Sequence, residues 1–487
     1  MNNIVGDFFS YFVFFYTSFQ ADSFIILMVL SFVSLKTRKQ YYNETYVRNM
    51  LENSPYTPGV SIIAPAYNEE KTIIDNVHSL LNLEYPNYEV IIVNDGSTDA
   101  TLKLLIDYFE LVEVPFAYVE RIKTKPFKRI FKSTNDKYAK LMIVDKENGG
   151  TKADASNAGI NVASNPYFIC TDVDCVLSKY ALYYVIWPVL SSAKKVIAVS
   201  GTMRMANGCE IRDGEIVTVK APHTPIPLFQ NLEYMRSFLV GKMGWSMMNA
   251  MPNVSGGFGL FDRDVVIAVG GYDGVSFAED MDLIIRMVTY MCDFSRPYRI
   301  VQIPETCCWT EGPPDISVLH RQRTRWGRGL MQAFNVHRRV VFNKTYKQMG
   351  MITLPYLFVF EFLAPIIEVT GFCVFLYLAF TQAVNWTTMW VIFLSIYIFC
   401  QFLSLVVVAY DYYVGMPYRK GTEYIWIIVA SILEPFIYHP FITFFSLKGY
   451  FSYLIHRDFK WGNMKRKGFR KDAVNNVLED VKVVNGK

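Results

Sequence analysis

Several carboxylates of this chain sit on short polar turns, each just after an apolar run with the make-up of a strand. Glu89-Val-Ile-Ile-Val-Asn94-Asp95-Gly96-Ser97 is one such turn and Tyr167-Phe-Ile-Cys-Thr-Asp172-Val-Asp174 is another. A third acidic group, Ala278-Glu279-Asp280-Met281-Asp282, opens a helical stretch, and Gln322-Arg323-Thr324-Arg325-Trp326 follows about forty residues later. Acids at the carboxyl ends of strands in an open α/β sheet lie in the crevice where ligands bind. Acids alone repel phosphate, whereas a divalent cation between them attracts a diphosphate. Asp172 and Asp174 have the spacing for two oxygens to hold one hard cation, Mg²⁺ or Mn²⁺, with positions left for phosphate oxygens.

The other polar motifs fit the same chemistry, and each has a purely structural alternative. Tyr67-Asn68-Glu69-Glu70 leaves a strand and enters a helix, so Tyr67 could stack on a nucleoside and Glu69 could accept from it; a capped helix start needs the same residues. Asp95 is a ligand candidate or a cap. Asn148-Gly-Gly-Thr-Lys152 is a glycine-rich loop before a helix, where backbone, helix N-terminus and Lys152 would favour an anion. Acids in a first helical turn usually serve the dipole. Crowding of Glu279, Asp280 and Asp282 would raise one proton affinity, which suits a general base. Arg325 could neutralise a leaving diphosphate and Trp326 could carry a sugar ring, although basic helices beside a membrane also anchor headgroups.

These residues need a sheet to line them up. Strand-like and helix-like segments alternate from Val60 to about residue 310, which predicts a mostly parallel α/β sheet. The basic stretch 113–139 reads as a mobile insertion. Hydrophobic residues make up 52% of the chain and collect at the N-terminus and after residue 350. Residues 4–19 read as an interfacial helix and 19–35 as a membrane crossing stopped by Lys36, Arg38 and Lys39, which places the next domain in the cytoplasm. The absence of a basic n-region argues against a cleavable signal. Residues 352–380, 388–410 and 425–447 are each long enough to span a ~30 Å hydrocarbon core. Pro435 and Pro440 suggest that 425–455 folds as a broken, re-entrant hairpin, which would keep the basic tail inside. Glu361, Glu368, Glu434 and His439 within these spans point to a hydrated seam or to mutual pairing.

The expected divisions are an anchor (1–40), a catalytic domain (55–315), interface helices (316–350), a membrane region (351–456) and a basic tail (457–487). A net charge of +4 gives no case for nucleic acid. The eight cysteines and six histidines show neither disulfide nor zinc spacing.

With Asp95, Asp172-x-Asp174, Glu279-Asp280 and Gln322-x-x-Arg325-Trp326 in this order, nearly the whole chain resembles the family 2 membrane glycosyltransferases of the processive type. Cellulose, hyaluronan, chitin-oligosaccharide and poly-N-acetylglucosamine synthases belong to that group. The resemblance implies a GT-A-type nucleotide-sugar-binding domain joined to an α-helical transmembrane region, multi-pass in the inner (plasma) membrane with the catalytic domain cytoplasmic. By the resemblance, Tyr67, Glu69, Asp95, Lys152, Asp172, Gln322, Arg325 and Trp326 would bind the nucleotide sugar and acceptor. Asp172 and Asp174 would hold Mg²⁺ or Mn²⁺, Asp280 would be the base, and Asn253–Gly259 would form the acceptor-side loop. The expected partners are a UDP-sugar, most simply UDP-N-acetylglucosamine, a glycan or lipid-linked acceptor, membrane lipid and an accessory export subunit. The competing readings are single-sugar transfer to a lipid and a membrane scaffold or transporter that only binds nucleotide sugars.

Overall fold

The computed structural model describes residues 2–455 apart from Asp174, Asp213, Met416 and Arg419, so Asp174 and the basic tail lie outside the described residues. The strands are β1 Val60–Ala66, β2 Tyr88–Asp95, β3 Leu111–Glu113, β4 Phe127–Ser133, β5 Leu141–Lys146, β6 Tyr167–Thr171, β7 Val176–Leu177, β8 Lys195–Met205, β9 Glu210–Arg212, β10 Glu215–Thr218, β11 Phe258–Asp262 and β12 Tyr298–Thr310. Ten of them form one sheet in the order β3-β4-β5-β2-β1-β6-β11-β8-β12-β7.

The central block β5-β2-β1-β6 is parallel, with Val60 opposite both Tyr88 and Tyr167. Its strands are nearly continuous β-branched runs because both faces are covered. Ile62 and Ile92 pack into the core on one face with Val77, Leu80 and Leu105, while Ile63, Ile91 and Val93 pack on the other with Ala155, Ala158 and Ile160. A Cβ on Gly159 would lie 2.3 Å from Ile63 Cγ2, so helix Lys152–Val162 can approach β1 only through a glycine.

The sheet as a whole is mixed, not mostly parallel. β11 runs antiparallel to both β6 and β8, and β4 is antiparallel to β5. For β4 and β5 the short return from Ser133 to Leu141 enforces reversal, since a parallel pair needs a longer crossover. Nor is 113–139 a loose insertion. It supplies β4, and Asn161 pins the loop before it by accepting from Arg121 N and Ile122 N at 3.1 and 3.0 Å.

Among the described residues, four helices are long and apolar enough to cross a membrane: Phe8–Tyr41, Met349–Phe380, Trp386–Val414 and Gly421–Ile455. Two expectations change. The N-terminal segment is one helix, Asn2–Tyr41, without a break between an interfacial and a spanning part. Gly421–Ile455 is likewise one 35-residue helix containing both Pro435 and Pro440, with no hairpin turn. Neighbouring helices and local adjustments can satisfy the backbone groups that a proline frees. The seat of this helix is the amphipathic helix Ile316–Val336, where a Cβ on Gly449 would lie 2.5 Å from Thr324 O and one on Gly327 2.6 Å from Ser446 O.

Ion pairs fasten the sheet domain to these helices. Arg38 Nε lies 2.9 Å from Glu305, buried Arg204 pairs with Asp411, and Arg236 Nη1 lies 2.6 Å from Glu434. Glu423 accepts from Ala221 N at 3.0 Å.

Candidate active site

The parallel register brings Ala66, Asn94 and Asp145 level, so the turns after β1, β2 and β5 meet at one edge. Asn68, with a left-handed φ of 56°, donates its N–H to Ser97 Oγ (3.0 Å), and its Oδ1 accepts from Thr98 N (2.8 Å). Gly96, at φ +65°, lets this turn pass the Asn148 backbone, whose N a Cβ would approach to 2.8 Å. Tyr67 is 45% exposed at this edge, while Glu69 N donates to Thr101 Oγ1 at 2.8 Å and Glu69 Oε2 accepts from Thr72 Oγ1 at 3.2 Å. Asp95 is buried and accepts from Lys146 Nζ (2.8 Å) and Gly149 N (3.0 Å). Lys146, fully buried, also reaches Asp154 at 2.5 Å. It went unnoticed in the sequence, although a lysine closing the apolar strand Leu141–Lys146 among acids is a readable signal.

Lys152 belongs to the next wall. Its Nζ sits 2.6 Å from Asp172 Oδ1 and donates to Gly256 O at 2.8 Å, so it ties β6 to the Asn253–Gly259 loop. Burial works against its charge, but Asp172 outweighs that and holds the ammonium well above its usual range.

Glu279 and Asp280 open helix Glu279–Asp293. Asp280 accepts from Asn253 Nδ2 at 3.2 Å and from Met281 N at 2.8 Å. The carboxyl whose proton affinity rises is that of its neighbour Glu279. Burial pushes it up, Arg325 opposes this, and the Asp280 charge adds to it. Glu279 Oε2 is buried without a hydrogen-bond partner among the described residues. Asp282 has left the cluster, lying 2.7 Å from His337 Nε2 and 2.7 Å from Arg286 Nη2.

Helix Ile316–Val336 brings the last group. Arg325 Nη1 donates to Phe277 O at 3.4 Å, just before the acid pair, and Gln322 Oε1 accepts from Gln230 Nε2 at 3.1 Å. Trp326 is 36% exposed, with the Arg323 guanidinium 4.2 Å from its ring centroid. Arg323 is fixed in turn by both Glu233 oxygens (2.6 and 2.5 Å) and Tyr438 OH (3.0 Å). That arginine was legible only as part of a basic run; its role as the back support of Trp326 depends on contacts from two other helices.

Lys152, Asp172, Asp280, Gln322, Arg325 and Trp326 all line one cavity of about 820 Å³, together with Asn253, Gly256 and Glu279. The cavity continues between the apolar helices, where Phe24, Tyr356, Glu361, Cys400, His439 and Tyr450 line it. Tyr67, Glu69 and Asp95 do not line it; they lie on the adjoining strand-end turns. Among the described residues no group of three or more His, Cys, Asp or Glu side chains could cage a metal ion. A metal shared with a diphosphate needs only one or two carboxylates, and Asp172 faces the cavity with that capacity.

A mixed α/β sheet with its ligand-facing turns at one strand edge, joined to apolar helices around a shared cavity, is a GT-A-type glycosyltransferase architecture. Residues 61–210 match the glycosyl transferase family 2 domain and residues 227–410 match glycosyl transferase family group 2; the chain belongs to the family 2 glycosyltransferases. It is similar to poly-β-1,6-N-acetyl-D-glucosamine synthases of Staphylococcus epidermidis (30% identity over 58% of this chain and 57% of that one) and Staphylococcus aureus strain COL (30% over 56% and 54%). The chain thus spans somewhat more than half the length of the curated relatives it matches. Among solved structures it is similar to a mannosyltransferase from Pyrobaculum calidifontis in complex with GDP-Man and Mn²⁺, at 18% identity and a TM-score of 0.45 over 85% of this chain and 99% of that one.

Proposed function

We propose that the protein transfers a sugar, N-acetylglucosamine, from its UDP-linked form to the end of a growing β-linked glycan, with inversion at the anomeric carbon. The observation that carries this reading is the cavity shared by Asp172, Asp280, Arg325 and Trp326, which runs on between the apolar helices. The choice of sugar is supported by the similarity to poly-β-1,6-N-acetyl-D-glucosamine synthases.

In this reading the turns bearing Tyr67, Glu69 and Asp95 take the nucleoside, and Lys152 and Asp172 meet the diphosphate. A Mg²⁺ or Mn²⁺ ion would be held by Asp172 and Asp174 with the diphosphate oxygens, and it would neutralise charge on the leaving group. Arg325 adds a second positive charge on that side. Asp280 removes the proton of the acceptor hydroxyl as that oxygen attacks the anomeric carbon from the face opposite the departing UDP. Its orientation is set by Asn253 and Met281 N. Trp326, backed by Arg323, offers a flat platform for the acceptor ring. A binding scaffold has no need of a base.

The basic end of helix Asn2–Tyr41 (Arg38, Lys39) supports a cytoplasmic catalytic domain in the plasma membrane. Glu361 and His439, facing the cavity between the helices, support an outward path for a hydroxyl-rich chain. The test is UDP release by the purified full-length protein in detergent over a panel of UDP-sugars with Mg²⁺ or Mn²⁺, with product sizing. Release from UDP-N-acetylglucosamine with long product is the expected result. A one-sugar lipid product would overturn the polymerase reading, and UDP-sugar binding without release would overturn transfer altogether.

A further inference from the structure

Among the residues that line the cavity, Lys242 is unaccounted for by the mechanism above. It ends a π-helical turn, Ser237–Lys242, set between the α-helical segments Pro225–Arg236 and Met243–Met247. Such turns admit one extra residue into a helix and recur at functional sites because they re-aim a side chain. Here the aim is into the cavity that holds Asp280, Asn253 and Trp326.

Lys242 is only 7% exposed and its side chain opens into the cavity, where among the described residues its ammonium has no hydrogen bond or ion pair to the protein. Its Nζ lies 4.6 Å from the centroid of the Phe238 ring. An ammonium that opens only into this cavity, with no fixed anionic partner, is complemented by an oxygen-bearing occupant. Burial brings its pKa down to about 8, while the Asp280 charge opposes the fall, so the ammonium is still the main form at neutral pH. Arg325 and Lys152 are the cations beside Glu279, while Lys242 is the one on which the Asp280 charge acts.

The location decides what kind of oxygen it meets. The donor-side lysine, Lys152, is already engaged by Asp172 and Gly256 O. Lys242 comes from the opposite side, from a turn packed on helix Asn2–Tyr41, where Ser31 donates to Leu239 O. Because Lys242 and Asp280 face the same space and their charges interact, a sugar whose hydroxyl meets Asp280 has neighbouring oxygens within the field of Lys242.

We propose that Lys242 recognises the acceptor, donating from its ammonium to a hydroxyl or amide-carbonyl oxygen of the terminal acceptor sugar and so holding the attacking hydroxyl against Asp280. This rests on the reading of Asp280 as the base and of the cavity as the glycan site. It makes Lys242 a residue of acceptor binding and not of donor binding.

Transfer and donor hydrolysis separate the two roles. In both, the bond between the anomeric carbon and the diphosphate oxygen breaks and UDP leaves with the electron pair. In transfer the new bond forms to the glycan hydroxyl, whose proton passes to the base; in hydrolysis it forms to water. Full-length K242M in detergent, supplied with UDP-N-acetylglucosamine, Mg²⁺ and a short glycan primer, should show a transfer-to-hydrolysis ratio lowered by about ten- to a hundredfold, the worth of a hydrogen bond from a charged donor. The primer KM should rise, UDP affinity should stay as in the native protein, and K242R should recover most of the ratio. Proportional loss of transfer and hydrolysis, or an unchanged ratio with an unchanged primer KM, would overturn the inference. Recovery of transfer in K242M by a lipid phosphate acceptor but not by the glycan primer would also overturn it. If K242M fails to fold, K242R and K242Q carry the same comparison. Native protein that releases UDP from no donor would instead sink the proposed function itself, so the two failures are distinguishable.

Discussion

The strand-end wall beside the cavity and the helical wall that lines it differ in how they satisfy their polar groups. On the strand-end side, Asn68, Ser97, Asp95, Lys146, Gly149 and Asp154 bond one another, and Lys152 is engaged by Asp172 and Gly256. On the side formed by helix Glu279–Asp293 and the π-turn, Glu279 Oε2 is buried without a hydrogen-bond partner and the Lys242 ammonium opens into the cavity with no hydrogen bond or ion pair among the described residues. A closed network can hold a shape before any ligand arrives, whereas unpartnered buried groups are expensive until something fills the space. Under the proposed function, the first wall would bind the nucleotide in a preformed shape and the second would be completed by substrate.

The largest effect should come from breaking the second wall at its base. Asp280→Asn keeps the size and the contact to Asn253 but cannot take a proton, so glycan synthesis should fall by about 10²–10⁴-fold, with UDP binding retained. Sugar-transfer assays beside UDP-binding titrations check this. Turnover near the native value would remove Asp280 from the mechanism.

The first wall should fail through stability. Lys146→Met leaves Asp95 and Asp154 facing each other without their shared cation, and breaking such a buried pair costs about 3–5 kcal/mol. A large drop in the melting temperature of the detergent-solubilised protein is expected, together with lost UDP affinity. A variant that melts normally but no longer binds UDP would show that Lys146 serves the ligand more than the fold.

A smaller effect tests how the second wall is held to the membrane helices. Gly327→Ala would press a methyl toward Ser446 O, where a Cβ would sit at 2.6 Å, and overpacking of this kind costs about 1–3 kcal/mol. Because Trp326 and Arg325 ride on the same turn, transfer should decline with the melting temperature while UDP binding does not.

Legibility follows the same division. The strand-end motifs were readable because a parallel sheet converts sequence order into position: an apolar run followed by Asn94-Asp95 or Asp172 can only end at the ligand edge. The sense of the flanking strands was not, since β11 threads between β6 and β8 through contacts far apart in sequence. Helix Gly421–Ile455 misled for a related reason. Its prolines signalled a break, but local propensity yields to packing against Thr324 and Arg328 across a glycine seam. Lys242 was visible as a lone lysine in the apolar stretch from Phe238 to Met243, yet only the π-turn reveals where it points. Glu279 and Asp280 could be named as a pair, while the assignment of the raised proton affinity required the burial of one and the neighbours of both.

The smallest effect concerns Asp282, which the sequence placed in the acidic cluster with Glu279 and Asp280 and the structure pairs with His337 and Arg286. Burial alone would raise its pKa, but the hydrogen bond from His337 and the charge of Arg286 bring it below the usual carboxylate value. A depressed folded-state pKa means that this pair adds stability above the unfolded pKa of about 3.9 and that the contribution is lost as pH falls through the folded value. Native protein should therefore lose stability faster than Asp282→Asn as the medium is acidified below about pH 4, by at most about 1.4 kcal/mol per pH unit, the limit for one proton. Melting curves of both proteins between about pH 3 and 7 test the difference. Parallel curves would mean that Asp282 titrates as it does in the unfolded chain, while a selective loss of transfer at neutral pH in Asp282→Asn would return this residue to the chemistry of the second wall.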